Sequence, residues 1–277
     1  MILISTANGK VGSEIVKALI QQGQNVRVGA HNLAKAQASF PGANVVHFDY
    51  NDEASVKAAL EGVDTLYLAS PGDFPAEPEK RVVDLAKTAG VKRVVKLSAM
   101  GVENAPDSSI RQVELHIEKS GLEWTFLRPS WFMQNYSVGM AEGIKHGTLY
   151  EPAADAKTGF IDARDIAAVA VKALTEDGHN HQAYPLTGPQ SLDRNAVVQA
   201  ISSALGKPVQ YVPVTDDQFR DSMQNVLSPT YLELMSNLYA GVRAGWSDAT
   251  TDTVKRVLGR EPISFSQFAA DHKNDWL

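Results

Sequence analysis

The sequence predicts an α/β fold: a doubly wound parallel sheet of the Rossmann type, followed by a smaller, mainly helical C-terminal lobe. Three observations predict it. Over roughly the first 130 residues, six short apolar runs alternate with stretches of helical spacing. A glycine-containing loop follows the first run at once. Beyond Gly188 the spacing is mostly helical. Repeated strand–helix–strand units lay their strands parallel and cover both sheet faces.

The predicted strands are Ile2-Leu3-Ile4, Val26-Arg27-Val28, Val45-Val46-His47-Phe48, Thr65-Leu66-Tyr67-Leu68-Ala69, Val94-Val95-Lys96-Leu97 and Trp124-Thr125-Phe126-Leu127. Each is strand length and rich in β-branched or aromatic residues. Val11, Ile15, Leu19 and Ile20 form one face of the first helix. Val56, Ala59 and Leu60 mark the next, after Asp52 as its N-cap. Val82, Val83, Leu85 and Ala86 fill a third, ended by Gly90. Ile110, Val113 and Ile117 trace a fourth, ended by Gly121.

The pattern changes after Pro129. Residues 131–157 are irregular, and a strongly apolar helix runs from Asp162 to Leu174. Ala183 to Thr187 reads as a last short strand, whose Pro185 implies an edge or a strand end. Helices then cover 193–205, 216–226, 229–239, 250–258 and 264–275. We therefore place a dinucleotide-binding core at 1–187, with its excursion at about 131–157, and a helical substrate or lid lobe at 188–277.

Composition narrows the function. The 277 residues carry 26 Lys and Arg against 32 Asp and Glu, a net charge of −6 that argues against a nucleic-acid partner. The 44% hydrophobic content excludes a disordered chain. There is no cysteine, so disulfides, thiolate metal sites and a cysteine nucleophile are excluded together. Any redox chemistry must then be carried by a bound group. Met1-Ile2-Leu3-Ile4-Ser5 is too short for a leader, and no apolar run approaches the roughly 20 residues of a membrane span. A cytoplasmic protein without a membrane partner is expected.

The most informative segment is Ser5-Thr6-Ala7-Asn8-Gly9-Lys10-Val11-Gly12. It joins the first strand to the first helix, where a pyrophosphate can sit on free N–H groups. Gly9 would let the backbone approach phosphate, and Gly12 would let the helix pack closely. An NAD site places an acid after the second strand to hold the ribose 2′-hydroxyl. Gly29-Ala30-His31-Asn32-Leu33-Ala34-Lys35 has none. His31, Lys35 and nearby Lys10 instead favour the 2′-phosphate of NADP over NAD. Asp49, after the third strand, suits a place near the adenine or a capping role.

The loop resembles the G-x-x-G-x-x-G turn of short-chain dehydrogenases, with Thr6 in place of the first glycine. Leu97-Ser98-Ala99-Met100-Gly101, Ser120-Gly121-Leu122-Glu123-Trp124-Thr125, Leu127-Arg128-Pro129 and Phe132-Met133-Gln134-Asn135 sharpen the match. So do Phe160-Ile161-Asp162-Ala163-Arg164-Asp165-Ile166-Ala167 and Tyr184-Pro185-Leu186-Thr187-Gly188-Pro189. Together they resemble the NmrA-like family of atypical short-chain dehydrogenases/reductases, to about residue 215. That resemblance implies NADPH-dependent reduction of quinones or dyes, or dinucleotide sensing without turnover as in NmrA itself.

Ordinary short-chain dehydrogenases use a Tyr-x-x-x-Lys pair to move a proton as hydride moves. No such pair exists in this chain. A quinone or dye does not require it, because the acceptor delocalises the added charge and can take its proton from water. Such a pocket needs mainly a flat surface near the nicotinamide. Phe74, Trp131, Phe132, Asn135, Tyr136 and Phe160 are its candidate walls.

Ser98 and His116 are the catalytic candidates; Glu114 and His116 could relay protons, with a solvated helix face as the default for both. Ser98 also joins Thr6, Asn8, Gly9, Lys10, Val11, Gly12, His31, Lys35, Asp49, Ser70 and Pro71 as cofactor-binding candidates. Arg128 reads as structural, and Asp162 and Asp165 as helix caps. His179 and His181 lie on a polar turn without a third ligand, so no metal is expected. Two functions stay open. One is an NADPH-dependent reductase of a small aromatic acceptor, a quinone first, with a homodimer left open as its assembly. The other is a non-catalytic NADP(H)-sensing regulator acting through a protein partner.

Overall fold

The sheet is built from the alternating runs. In the computed structural model, which describes residues 1–70 and 74–277, the first elements run β1 (Ile2–Ile4), α1 (Lys10–Gln21), β2 (Val26–Ala30), α2 (Leu33–Ser39) and β3 (Asn44–His47). They continue as α3 (Glu53–Leu60), β4 (Thr65–Leu68), α4 (Ala76–Thr88), β5 (Arg93–Leu97), α5 (Ser109–Ser120) and β6 (Glu123–Pro129). Next come α6 (Ala141–Lys145), β7 (Thr148–Glu151), α7 (Ala163–Thr175) and β8 (Gln182–Leu186). The rest is α8 (Arg194–Leu205), β9 (Gln210–Pro213), α9 (Asp216–Met223), α10 (Pro229–Arg243), α11 (Thr253–Leu258) and α12 (Phe265–Asp271).

Among the described residues, seven strands form one sheet in the order β3-β2-β1-β4-β5-β6-β8. β1 to β6 pair parallel throughout. The order reverses between β1 and β4, which makes that gap the switch point where such sheets bind ligands beyond their strand ends. β8 is the edge strand, and Pro185 lies in it without breaking an interior ladder.

The chain divides into two compact units, Met1–Pro129 with Ala163–Pro185, and Ser130–Asp162 with Leu186–Leu277. Sequence alone draws one boundary at 187/188. The structure instead gives the whole stretch 130–162 to the second unit and returns α7 to the first. The reason is packing. Ile166, Val169, Ala170 and Ala173 of α7 are buried, and α7 packs on α1 and on β4, β5 and β6. Tyr136, Ile144, Leu149 and Phe160 instead bury in a core with Val197, Ile201, Phe265 and Trp276.

In the first unit, Val11, Ile15, Val16 and Leu19 bury one stripe of α1, while Ile20 lies outside it, 45% exposed. The opposite sheet face carries α3, α4 and α5, packed through Val56, Leu60, Val82, Val83, Val113 and Ile117. Asp52 caps α3 by accepting from the N–H groups of Ala54 and Ser55. Gly121, at φ +82°, ends α5 in the left-handed conformation that favours glycine.

Two features of the fold leave no apolar pattern to read. α2 buries only Ala36. In the second unit β7 pairs parallel with β9, and this pair inverts the usual pattern. Tyr150 and its register partner Val212 are exposed, while Glu151 is buried. Glu151 accepts from the Tyr136 hydroxyl at 3.0 Å, the Tyr239 hydroxyl at 2.9 Å and Arg194 Nε at 3.0 Å. A buried charge needs such partners.

Candidate functional site

The glycine loop is built as a tight turn. The Gly9 N–H donates to the Thr6 carbonyl at 2.9 Å, and Ala7 N–H to the Gly29 carbonyl at 3.3 Å. Gly9 is the N-cap of α1, and no side chain caps the helix. Its leading N–H groups are therefore offered to a ligand, where the helix dipole favours an anion. Thr6 sits where the family's loop has its first glycine, and it is not among the residues with positive φ. The turn closes without left-handed backbone at that position.

Gly12 explains how closely the helix approaches. A Cβ there would lie 2.1 Å from the Thr6 carbonyl oxygen and 2.9 Å from its carbon. At Gly9 a Cβ would lie 3.1 Å from the same oxygen. The loop backbone and the helix start thus form a cradle that side chains would fill. Val11 is 3% exposed, so its side chain is core and only its backbone faces the loop. Lys10 opens α1, and partial desolvation lowers its ammonium pKa. The Asn8 amide nitrogen reaches the Asn32 carbonyl at 3.5 Å, while its Oδ1 is buried without a hydrogen-bond partner. A shaped cradle at an uncapped helix N-terminus fits a dinucleotide pyrophosphate, whereas Asn8 Oδ1 is an acceptor and could meet only a donor group.

Beneath the cradle, hydrogen bonds join three strand ends. Ala69 N–H donates to Ser5 Oγ at 3.2 Å, Ser5 Oγ meets the Tyr50 hydroxyl at 3.0 Å, and Tyr50 donates to the Ala69 carbonyl. Burial and the nearby Glu79 charge push the Tyr50 pKa well up, so it stays a neutral donor. Sequence reading misses this clamp, because its members lie on different strands. Phe74 packs on Tyr50, ring centroids 5.2 Å apart, as part of that first-unit cluster.

The end of β2 gathers basic side chains beside one carboxylate. His31 is exposed, its Nε2 lies 3.6 Å from Asp49 Oδ2, and its ring centroid lies 5.7 Å from that of His47. The register Ala30↔His47 brings these two histidines together, and His47 is a basic group that the motif alone does not point to. Lys35 is exposed in the first turn of α2, its N–H held by the Asn32 side chain at 2.9 Å. Asp49 is not a helix cap. Its carboxylate accepts from the Asn51 N–H at 2.9 Å, and Asp52 does the capping.

Ser70 follows β4 and is half-buried, while Pro71 lies outside the described residues. Ser98 ends β5 and is nearly buried, with its hydroxyl 2.6 Å from Glu114 Oε1. Glu114 is fully buried, which corrects its assignment to a solvated face. It accepts from Arg128 Nε at 3.0 Å, Arg128 Nη2 at 2.8 Å and Arg111 Nη1 at 2.8 Å. Arg128 is structural in this sense: it holds that carboxylate.

His116 does lie on a solvated helix face. It pairs with Asp84 at 2.7 Å on the surface, because α5 packs on α4 there. Two residues along a helix point about 200° apart, so His116 cannot join Glu114 at Ser98. His179 bonds the Tyr184 hydroxyl at 2.8 Å. Among the described residues no cluster of His, Asp or Glu could hold a metal ion, and no helix is long and apolar enough to cross a membrane.

The aromatic candidates in the second unit separate into two kinds. Trp131, Phe132 and Asn135 are half-buried, and Trp131 packs on Tyr239 with centroids 5.0 Å apart. Tyr136 and Phe160 are each 1% exposed and sealed in the core, so they are not pocket walls. The Tyr136 hydroxyl is engaged by Glu151, and the Arg194 guanidinium lies 5.1 Å over the Phe160 ring.

Comparison with known proteins agrees with this geometry. A family model described as NAD(P)H-binding matches residues 6–177. The NAD(P)H azoreductase of Xenophilus azovorans is 37% identical, over 98% of each chain. The solved NADPH complex of the Escherichia coli NADPH-dependent quinone oxidoreductase superposes with a TM-score of 0.86 at 26% identity, covering 98% of this chain and 99% of the other. The negative transcriptional regulator NmrA, solved with NADP, shares the fold at a TM-score of 0.76 and 19% identity, covering 98% of this chain and 94% of its own. The chain belongs to the NAD(P)H-binding family.

Proposed function

We propose that this protein is an NADPH-dependent reductase of a small aromatic acceptor, with a quinone as the first candidate and azo dyes next. One observation carries the acceptor class. The place beside Ser98 holds Glu114, a carboxylate occupied by two guanidinium groups, and not a Tyr–Lys pair. A carboxylate held by Arg111 and Arg128 has no proton to give. Glu114 is then not the proton donor, and our reading is of an acceptor that takes a hydride and draws its proton from water.

NADPH, when bound, supplies the hydride. The N–H groups at the start of α1 hold the pyrophosphate, in the cradle closed by Thr6, Gly9 and Gly12. His31, Lys35 and His47 meet the 2′-phosphate, which favours NADP over NAD. Ser70 and Ser98 follow β4 and β5, the strands of the second mononucleotide half, and so serve the nicotinamide side. Within the second unit, Trp131 and Phe132 are the flat, half-buried aromatics and Asn135 the polar side chain that an aromatic acceptor would use. The pocket's task is orientation and exclusion of water.

Identity to the azoreductase and the quinone oxidoreductase supports this reading. Steady-state NADPH oxidation with a panel of quinones and azo dyes tests it. Stimulated oxidation by at least one class is expected. Tight NADPH binding with no stimulated oxidation by any acceptor would overturn it, and would favour a sensor.

A further inference from the structure

We infer that Glu114 is a positioning residue that fixes the hydrogen-bond polarity of Ser98, making it an acceptor for the carboxamide N–H of the nicotinamide. This rests on the dinucleotide reading above. A serine hydroxyl has one proton and can otherwise only accept. An ionised carboxylate can only accept. At 2.6 Å the Ser98 proton must therefore point at Glu114 Oε1. Arg128 Nε and Nη2 and Arg111 Nη1 occupy both carboxylate oxygens at 2.8–3.0 Å, so Glu114 has no proton of its own to share. Glu103 pairs with the free end of Arg128 at 3.2 Å and fixes that guanidinium. The Ser98 backbone N–H is committed to the Leu127 carbonyl at 2.7 Å.

What Ser98 presents to a ligand is then lone pairs alone. The strand order places β5 in the half of the sheet that receives the second mononucleotide. A nicotinamide carboxamide offers one carbonyl oxygen and one NH₂ group. Only the NH₂ can meet Ser98. The contact selects one orientation of the amide, and it removes Ser98 as a proton donor to the acceptor.

The test uses the full chain and two oxidised ligands, NADP and its 3-acetylpyridine analogue, in which a methyl ketone replaces the carboxamide. The analogue has no N–H for Ser98. Wild type is expected to bind it about tenfold more weakly than NADP, the equivalent of one lost hydrogen bond. Ser98→Ala should weaken NADP and leave the analogue unchanged, closing the gap. Ser98→Thr keeps the hydroxyl and should keep the gap. Glu114→Gln should narrow it, because an amide can donate to Ser98 and free its proton for a ketone. Equal wild-type affinities, or a gap that survives in Ser98→Ala, would overturn the inference while leaving NADP binding intact. Failure of wild type to bind NADP at all would overturn the functional reading itself. The ratio of two ligands is insensitive to loss of folded protein, so a merely structural role would not move it.

Discussion

The Cα of Gly12 lies so close to the Thr6 carbonyl that a Cβ would meet its oxygen at 2.1 Å. The contact is backbone against backbone, and no side-chain rotation can relieve it. Gly12→Ala should therefore push the loop off the helix start. We expect a stability loss of about 1–3 kcal/mol, as for overpacking elsewhere. NADPH affinity should fall roughly tenfold or more, since the N–H groups no longer converge. Thermal melting and calorimetric titration check the two parts separately.

The basic side chains at the end of β2 predict the cofactor preference. His31→Asp places a carboxylate where an NAD site has its acid. The ratio of kcat/KM for NADPH to that for NADH should fall by roughly 10–100-fold, the range of a hydrogen bond to a charged group. Lys35→Ala should lower it less, because His31 and His47 remain. Steady-state kinetics with both cofactors measures this.

Arg128 contributes to stability through a buried partner. Arg128→Leu leaves the buried Glu114 with Arg111 as the guanidinium partner and the Ser98 hydroxyl. Breaking a buried pair in this way typically costs about 3–5 kcal/mol, and the surviving Arg111 argues for the lower end. His116→Ala breaks only a surface pair with Asp84 and should change stability by less than about 1 kcal/mol. Urea denaturation of the two variants side by side makes the comparison.

Alkaline pH should destabilise the fold. Burial raises the pKa values of Tyr50, Tyr67, Tyr136 and Tyr239 above the ordinary tyrosine value, with the Glu79 charge adding at Tyr50 and Glu151 at Tyr136 and Tyr239. The unfolded chain therefore loses these protons first. The stability is complete below the unfolded value of about 10 and falls as pH rises above it. Unfolding free energies measured at pH values from about 9 to 11 should decline, together with the appearance of tyrosinate absorbance.

Much of this was legible in the amino-acid order. The first six strands, the glycine loop and the cap at Asp52 each carry a local signal. α2 carries none, because Ala36 is its one buried residue. The β7–β9 pair reads backwards, since Glu151 is buried and Tyr150 exposed. The same limit applies at the site. Glu114 looks like a solvated helix residue until Arg111 and Arg128 are seen around it. Tyr136 and Phe160 look like pocket aromatics until Glu151 and Arg194 enclose them. His47 becomes relevant only through its register with Ala30. Local order fixes helices and turns, whereas partners distant in sequence decide which polar groups are free.

Direct hydride transfer to the acceptor is the central claim, and a label tests it. NADPH deuterated at one or the other face of the nicotinamide C4 would be oxidised anaerobically with catalytic amounts of the protein and a quinone. The account predicts acceptor-dependent oxidation of both, with deuterium lost from one stereoisomer and kept in the NADP formed from the other. Absence of acceptor-dependent oxidation, or equal loss of label from both faces, would contradict it.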